Sequence, residues 1–313
     1  MFLHGGIFLQ LCNIFKKLST YMMQHSFMKR LPLLLVSILL YTFGFSQTDT
    51  KGSLLFEVSG NGLTSPSYIF GTFHIMCKDQ FSISPTLASK IVSTDQFYGE
   101  LDMDDPTMQA TMMQKIMMKD RTIESMMDSS SFKTFDEAFK KITGISASQL
   151  NHYKPFFHLS LLTLKTIPCF NFVQPETELM QIAKKNGNEV LGLETVEEQM
   201  SAIDAQPLDS QIIALQKMVL NFDSTKNMMT EMIEVYKKND AELLYDYVQK
   251  QGTDGMNEEV LLVNRNKNWI PKLKKIMLEK SSFIAVGGAH LGGKTGVLAL
   301  LKKEGYTVKP IKY

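Results

Sequence analysis

Cysteine, net charge and internal repetition are all scarce in this chain of 313 residues, and each scarcity excludes a class of protein. The 3 cysteines include no Cys-x-x-Cys pair, so neither a zinc ribbon nor a thioredoxin-like motif is present. Because 33 Lys and Arg face 32 Asp and Glu, the net charge of +1 supplies no global field for nucleic acid or an acidic membrane surface. No repeat and no Pro/Gly/Ser-rich linker divides the chain, and 44% hydrophobic residues indicate a folded domain.

The first 50 residues have the pattern of a targeting signal. Lys29 and Arg30 precede an apolar run over residues 31–45, and small and polar residues follow it. This order is typical of a secretory signal, and the run is shorter than the roughly 20 apolar residues that a membrane span needs. Met28 stands directly before the charged pair, which makes it a plausible biological start.

We therefore interpret residues 1–27 as an upstream extension, 28–47 as a signal peptide and 50–313 as the mature domain. Cleavage would make the protein periplasmic or secreted. The alternative is an uncleaved anchor, in which case the signal segment would be the only contact with the membrane.

Two cysteines, Cys77 and Cys169, remain in the mature chain. In an oxidising compartment they can pair, but their spacing does not say whether they do. Cys77 stands three residues after a histidine, His74. We favour a half-buried thiol in a loop over a Cys/His metal site at this point.

Hydrophobic patterning predicts strands at both ends of the mature chain. Two β-rich runs, 53–60 and 67–71, flank Asn61-Gly62, a pair that supplies the positive φ angles of a hairpin turn. The other strands are predicted at 95–101, 188–193, 282–287 and 306–311. Helices are predicted at 85–94, 175–186, 208–221, 225–238 and 240–250.

The pattern between Pro106 and Leu164 is helical and rich in methionine. Methionines at helical spacing are more often a pliable core than a substrate surface, and we adopt that interpretation. Strands at both ends with helices between them predict one α/β domain that carries a helical insertion.

Polar residues suited to catalysis follow four of the predicted strands. Gly-x-x-His occurs twice at strand ends, giving His74 and His290, and each Gly lets the backbone turn so that the imidazole enters the crevice beyond the sheet. Glu100 and Glu194 follow two other strands. Two imidazoles and two carboxylates can hold one divalent metal ion or form a general acid–base cluster. We interpret the other two mature-chain histidines, His152 and His158, as structural.

Residues 288–295 also fit the phosphate-binding pattern G-x-x-x-x-G-K-[ST]. Only 18 residues follow Thr295, too few for the further parallel strands of a nucleotide-binding fold. An exported protein also meets little ATP. We therefore expect no nucleotide at this segment.

Five segments together resemble the TraB/GumN family, to whose wider group the Tiki metalloproteases belong. They read YIFGTFHIMCKDQF, FYGELDM, EVLGLETVEEQM, NRNKNW and FIAVGGAHLGGKTGVLALLKKEGYTV, and the resemblance covers roughly residues 53–311. It implies a mixed central sheet with the two GxxH strands side by side. It also implies metal-dependent hydrolysis in the Tiki branch.

Carried over by position, His74, His290, Glu100 and Glu194 match the motif histidines and glutamates, and Arg265 matches the Arg of the Arg-Asn pair. The chain departs from the family where relatives have Gly-x-Asp before the helix that leads to GLE. Here the stretch is FVQPETE, in which Glu176 or Glu178 are the available replacements.

The leading hypothesis is an exported, metal-dependent peptidase that acts on a peptide or protein substrate. His74, Glu100 and His290 would bind zinc, manganese or cobalt, Glu194 would take a proton from the bound water, and Arg265 would stabilise the oxyanion or a substrate carboxylate. Which glutamate is ligand and which is base stays open. The alternatives are a metal-free, esterase-like hydrolase with His74 as base, and a non-catalytic envelope protein that binds or modulates signals.

Overall fold

A six-stranded mixed sheet forms the centre of the fold in a computed structural model that describes residues 52–251 and 258–313. The proposed extension 1–27 and signal peptide 28–47 lie outside the described residues. The strand order is β6-β4-β7-β2-β1-β8. These strands are β1 (Leu55–Ser59), β2 (Ser67–Thr72), β4 (Gln96–Gly99), β6 (Glu189–Gly192), β7 (Ser282–Gly287) and β8 (Thr307–Ile311).

Four neighbouring strands of this sheet run in parallel. β2 pairs with β7 in a register that sets Thr72 opposite Gly287, and β4 pairs in parallel with both β7 and β6. The carboxyl ends of these strands therefore meet at one edge of the sheet. β1 runs antiparallel to β2 and β8, and the predicted hairpin turn between β1 and β2 is present, with positive φ at Gly60, Asn61 and Gly62.

A second, two-stranded sheet is formed by β3 (Met76–Cys77) and β5 (Phe172–Val173). Cys77 and Cys169 form a disulfide beside it, which answers the pairing that their spacing had left open. The bond joins β3 to the segment before β5. The expectation of a half-buried loop thiol at Cys77 is therefore wrong, because Cys77 is buried in a strand and bonded to Cys169.

Helices cover the sheet and build the insertion, so the predicted α/β fold is confirmed. In the described ranges the α-helices are α1 (Pro85–Val92), α2 (Met108–Lys115), α3 (Ser129–Thr143), α4 (Pro155–Thr166), α5 (Pro175–Asn186), α6 (Val196–Asp204), α7 (Leu208–Leu220), α8 (Phe222–Tyr236), α9 (Ala241–Gln251), α10 (Asn264–Glu279) and α11 (Val297–Lys303). A π-helical turn, Glu259–Val263, runs directly into α10. None of these helices has the length and apolar character that a bilayer span requires.

Two main hydrophobic clusters hold the described residues together. The larger surrounds the sheet, where every residue of β2 and β7 is buried and Phe97 stacks on Phe283. The other lies in the helical insertion around Phe135 and Phe139. His158 is packed against Phe139 there, as expected of a structural histidine.

The methionine stripe is only partly core. Met118 is buried in the insertion, whereas Met113 and Met117 are exposed. The reason is that α2 is only eight residues long and has no fully buried residue, so the stripe does not lie on one continuous helix.

Candidate active site

The residues predicted from the four strand ends lie together at the carboxyl edge of the parallel strands. His74 follows β2, Glu100 follows β4, Glu194 follows β6, and His290 follows β7. Arg265, from α10, bridges the two glutamates, with Nη2 2.6 Å from Glu100 and 2.5 Å from Glu194.

Close backbone packing explains why glycine ends both strands that carry the glutamates. A Cβ on Gly99 would lie 2.9 Å from the Leu101 carbonyl oxygen, and one on Gly192 would lie 2.5 Å from the Asp102 nitrogen. The two turns are joined by a hydrogen bond from the Glu194 N–H to the Glu100 carbonyl, 2.9 Å long. Because only glycine permits this approach, the glutamates emerge side by side.

Gly287, the last residue of β7, lies beside both Glu100 and His74. Its N–H donates to Glu100 Oε1 over 2.8 Å. A Cβ at this position would lie 3.2 Å from that same oxygen and 3.3 Å from His74 Nε2. Glu100 Oε1 is also 3.8 Å from His290 Nε2, so Glu100 lies near His290 and shares the contact at Gly287 with His74.

Arg265 uses all five of its N–H donors inside the protein. Nε donates to Glu194, Nη2 to Glu100 and Glu194, and Nη1 to the Leu261 carbonyl and to His290 Nε2. Its guanidinium also lies over the Trp269 ring, 4.9 Å from the centroid. In this arrangement no donor is left for an oxyanion, so the stabilising role expected of Arg265 stays a prediction that requires one of these bonds to open.

His290 is held as a neutral imidazole. Asn266 donates its amide to the carbonyls of His290 and Thr295, which leaves its Oδ1 to accept from His290 Nδ1 over 2.6 Å. Nε2 then carries no proton, and its lone pair accepts a hydrogen bond from Arg265 Nη1. Burial, followed by the positive charges of Arg265 and His74, lowers the pKa of His290 to about 3 despite the nearby Glu100.

His74 forms an ion pair with Glu176, a buried residue in the first turn of α5. His74 Nδ1 lies 2.7 Å from Glu176 Oε1, which also accepts from the Thr72 hydroxyl. Of the two glutamates in the stretch that replaces the family's Gly-x-Asp, Glu176 therefore reaches the site, whereas Glu178 is exposed. The start of a helix favours a negative charge, and the His74 bond keeps the pKa of Glu176 low although burial alone would raise it.

The pKa of His74 is raised to about 9. Dehydration by the dense surroundings lowers it, but the hydrogen bond to Glu176 and the charge of Glu100 outweigh that effect. Since 69% of the side chain is accessible to water, solvent weakens both the dehydration and the charge effects, and the direct bond to Glu176 is the main cause of the raised pKa. His74 is therefore the solvent-facing titratable group of the cluster.

Glu100 remains ionised. Burial raises the pKa of its carboxyl, but the charges of His290, His74 and Arg265 and the Gly287 N–H lower it to about 2. Because His290 is neutral above about pH 3, Arg265 and His74 supply this stabilisation near neutral pH.

Glu194 is saturated with donors. Besides Arg265 it accepts from Trp269 Nε1 over 3.1 Å and from Gln199 Nε2 over 3.0 Å. Two cavities, of about 420 and 550 Å³, border Glu194, but His74, Glu100 and His290 do not line them. The role of Glu194 as base stays a prediction, because neither oxygen has a free position in this arrangement.

The donor types suit a divalent metal ion, but their arrangement does not. In residues 52–251 and 258–313 no three His, Cys, Asp or Glu side chains are placed to hold a metal. An ion bound between His74, Glu100 and His290 would have to displace the Arg265 guanidinium from His290 Nε2 and compete for Glu100. Binding of zinc, manganese or cobalt by His74, Glu100 and His290 therefore stays a prediction.

Three supporting residues were not singled out from the sequence: Asn266, Trp269 and Gln199. The first two belong to the block NRNKNW, in which Arg265, Asn266 and Trp269 share one face of α10 at helical spacing. That spacing was the available signal for Asn266 and Trp269. For Gln199, in α6, the sequence offers no signal of this kind.

The family model described as the TraB/PrgY/gumN family matches residues 54–310. No curated protein and no solved structure matches the chain.

Proposed function

Because the chain belongs to the TraB/PrgY/gumN family, we propose that it is an exported hydrolase that cleaves peptide bonds with His74 as its general base. The observation that carries this proposal is the His74–Glu176 pair. A water-accessible imidazole is held through Nδ1 by a buried carboxylate, and its Nε2 faces Gly287 and Glu100.

In this proposal each residue has a separate task. Glu176 orients the His74 ring and, in the fraction of molecules whose His74 is deprotonated, stabilises the imidazolium that forms when Nε2 takes a proton from the attacking water. Glu100, ionised beside Nε2, favours the same charged state. Arg265 is a positioning residue, because it keeps two buried carboxylates and His290 in place.

The disulfide supports the proposed location. Stable disulfides form in oxidising compartments such as the periplasm and the exterior of the cell. Cys77–Cys169 therefore supports export of the domain to the periplasm or the exterior, and it does not bear on cleavage of the proposed signal peptide.

A metal-dependent peptidase is the second candidate, and one observation favours it. His74 Nε2 and Glu100 Oε1 both lie beside Gly287, and His290 Nε2 is 3.8 Å from that Glu100 oxygen. If Arg265 moved away, these atoms would be the ones to hold zinc, manganese or cobalt, and the ion would supply an activated water at neutral pH.

The test is cleavage of a peptide library by protein purified from an exporting host, with and without a metal chelator. We expect cleavage that resists chelation and falls at least about 100-fold in His74→Gln. Loss of cleavage on chelation, with restoration by zinc, manganese or cobalt, would establish the second candidate instead. No cleavage under any condition, with a biological effect that survives His74→Gln, would identify a non-catalytic binding protein.

A further inference from the structure

We propose that the Cys77–Cys169 disulfide is a redox switch on the candidate site, whose reduction by a dithiol separates the loop that carries His74 from the segment that carries Glu176. The proposal has a structural half, the separation of the two segments, and an activity half, the loss of cleavage that follows. Only the activity half rests on the proposed hydrolase function.

The disulfide lies next to both members of the pair along the chain. Cys77 follows His74 by three positions, and Cys169 precedes Glu176 by seven. Bond formation therefore ties the loop after β2 to the segment that enters α5. The sequence separation of 92 residues shows that this link is tertiary and not part of a local turn.

Few backbone contacts besides the bond join β3 to β5, and the hydrogen bond from the Thr72 hydroxyl to Glu176 is a further link between β2 and α5. β3 and β5 pair over only two residues each, and one further backbone bond, from the Lys78 N–H to the Asn171 carbonyl over 3.0 Å, extends the pairing. A two-stranded ribbon this short is marginal in water. In contrast, β2 is held by five register pairs with β7 and four with β1, so the strand before His74 does not depend on the disulfide.

A reductant can reach the bond from one side. Cys77 is buried, whereas Cys169 is partly exposed and the next residue, Phe170, is fully exposed. A dithiol thiolate would attack Cys169 Sγ, and the Cys77 sulfur would leave and take up a proton. The second thiol of the reductant would then resolve the mixed disulfide, leaving two protein thiols and one oxidised dithiol.

Amide hydrogen exchange on the purified mature protein tests the structural half without any substrate. We expect the Lys78 amide and the β5 amides to exchange at least tenfold faster after treatment with dithiothreitol, while the β2 and β7 amides keep their protection. Unchanged exchange at Lys78 would overturn the proposal. Loss of protection in β2 and β7 as well would also overturn it, because the bond would then hold the whole domain and not the site.

Peptide cleavage tests the activity half. We expect dithiothreitol to reduce cleavage at least tenfold, reoxidation to restore it, and the double variant Cys77→Ser, Cys169→Ser to show the reduced level whether or not dithiothreitol is present. Equal cleavage by the oxidised and reduced forms would overturn the switch. If neither form cleaves any peptide, the hydrolase proposal fails, and the exchange experiment still decides whether the bond holds the two segments together.

Discussion

At the scale of the residue, Arg265 decides the charge balance of the site, because Glu100 and Glu194 share one guanidinium in a buried region. Two carboxylates out of contact with water repel each other and lose hydration unless a cation compensates them. Arg265 provides that compensation with a fixed fork of donors, which a lysine could not reproduce.

Removal of the Arg265 guanidinium should therefore lower the stability of the domain and release the two glutamate side chains. Arg265→Met leaves two buried carboxylates unpaired, and we expect the free energy of unfolding to fall by about 3–5 kcal/mol. Lys272→Met is the matched control, because Lys272 also pairs with a glutamate, Glu198, but at the surface, and it should cost at most about 1 kcal/mol. Urea unfolding followed by circular dichroism measures both, and equal losses would contradict the role given to Arg265.

Gly287 is the position at which a single methyl group reaches both His74 and Glu100. Gly287→Ala should force these side chains apart by a few tenths of an ångström, and we expect peptide cleavage to fall between about 10- and 100-fold. Gly144→Ala should do the reverse, losing stability at a left-handed helix cap far from the chemistry and keeping cleavage. Kinetics and thermal melting of the two variants check this contrast, and unchanged cleavage in Gly287→Ala would contradict the site.

The bond from Glu176 sets the pH at which His74 acts. A base works only when deprotonated, so kcat/KM should rise with pH through a midpoint near the His74 pKa of about 9 and level off above it. Glu176→Gln removes the carboxylate and should move that midpoint down toward about 6.5. Glu178→Gln, an exposed change in the same helical turn, should leave the profile unchanged. A profile that falls over this range in the parent protein would show that His74 is an acid and not a base.

At the scale of the element, the site is assembled by strand ends, and this part could be predicted from the sequence. Short β-rich runs that end in Gly-x-x-His, or that are followed within two residues by a glutamate, are local signals. The parallel arrangement of β2, β7, β4 and β6 then brings four such ends to one edge. Local pattern and topology thus lead to His74, His290, Glu100 and Glu194 together.

The contributions of the helices could not be predicted in the same way. Glu176 and Asn266 reach the histidines from α5 and α10, which are distant in sequence. The family resemblance left Glu176 and Glu178 as candidates, and the spacing in NRNKNW was a signal for Asn266, but neither pattern shows which histidine the side chain contacts. The pairing of Cys77 with Cys169 depends on the same long-range packing. The prediction that the methionine stripe is core was only partly right. A periodic pattern does not show that the helix ends at Lys115.

At the scale of the whole molecule, the buried cluster should make the domain sensitive to acid. His290, with its pKa lowered to about 3, stays neutral in the native state while the unfolded chain protonates near 6.5, so stability falls as pH drops from about 6.5 to 3. Glu100 adds a loss between 4.5 and about 2, because the unfolded carboxyl takes a proton before the native one. Urea titrations at several pH values should show this decline, and His290→Gln should make it shallower between about pH 6.5 and 3. The decline that remains comes from His158, whose pKa is also lowered by burial, and from Glu100. A flat profile between pH 6.5 and 4.5 in the parent would contradict a buried neutral His290.

The response of the melting temperature to metal ions connects the charge of Arg265 to the choice between the two mechanisms. An ion that binds only the native state raises stability in proportion to the logarithm of its free concentration over its Kd. In the parent, Arg265 occupies His290 Nε2 and shares Glu100, so we expect zinc, manganese and cobalt to leave the melting temperature unchanged.

Removal of the guanidinium should reverse this outcome. Arg265→Met frees two carboxylates and the His290 lone pair, and a divalent ion can then replace the missing positive charge, so we expect metal to raise the melting temperature of this variant by several degrees. The double variant Arg265→Met, His290→Gln lacks one nitrogen donor and should lose most of that gain. If the parent itself melts higher with metal, and His74→Gln and His290→Gln do not, then Arg265 gives way to an ion in the native protein. The metal-dependent peptidase would in that case replace the metal-free hydrolase, because the ion and the guanidinium compete for the same carboxylates.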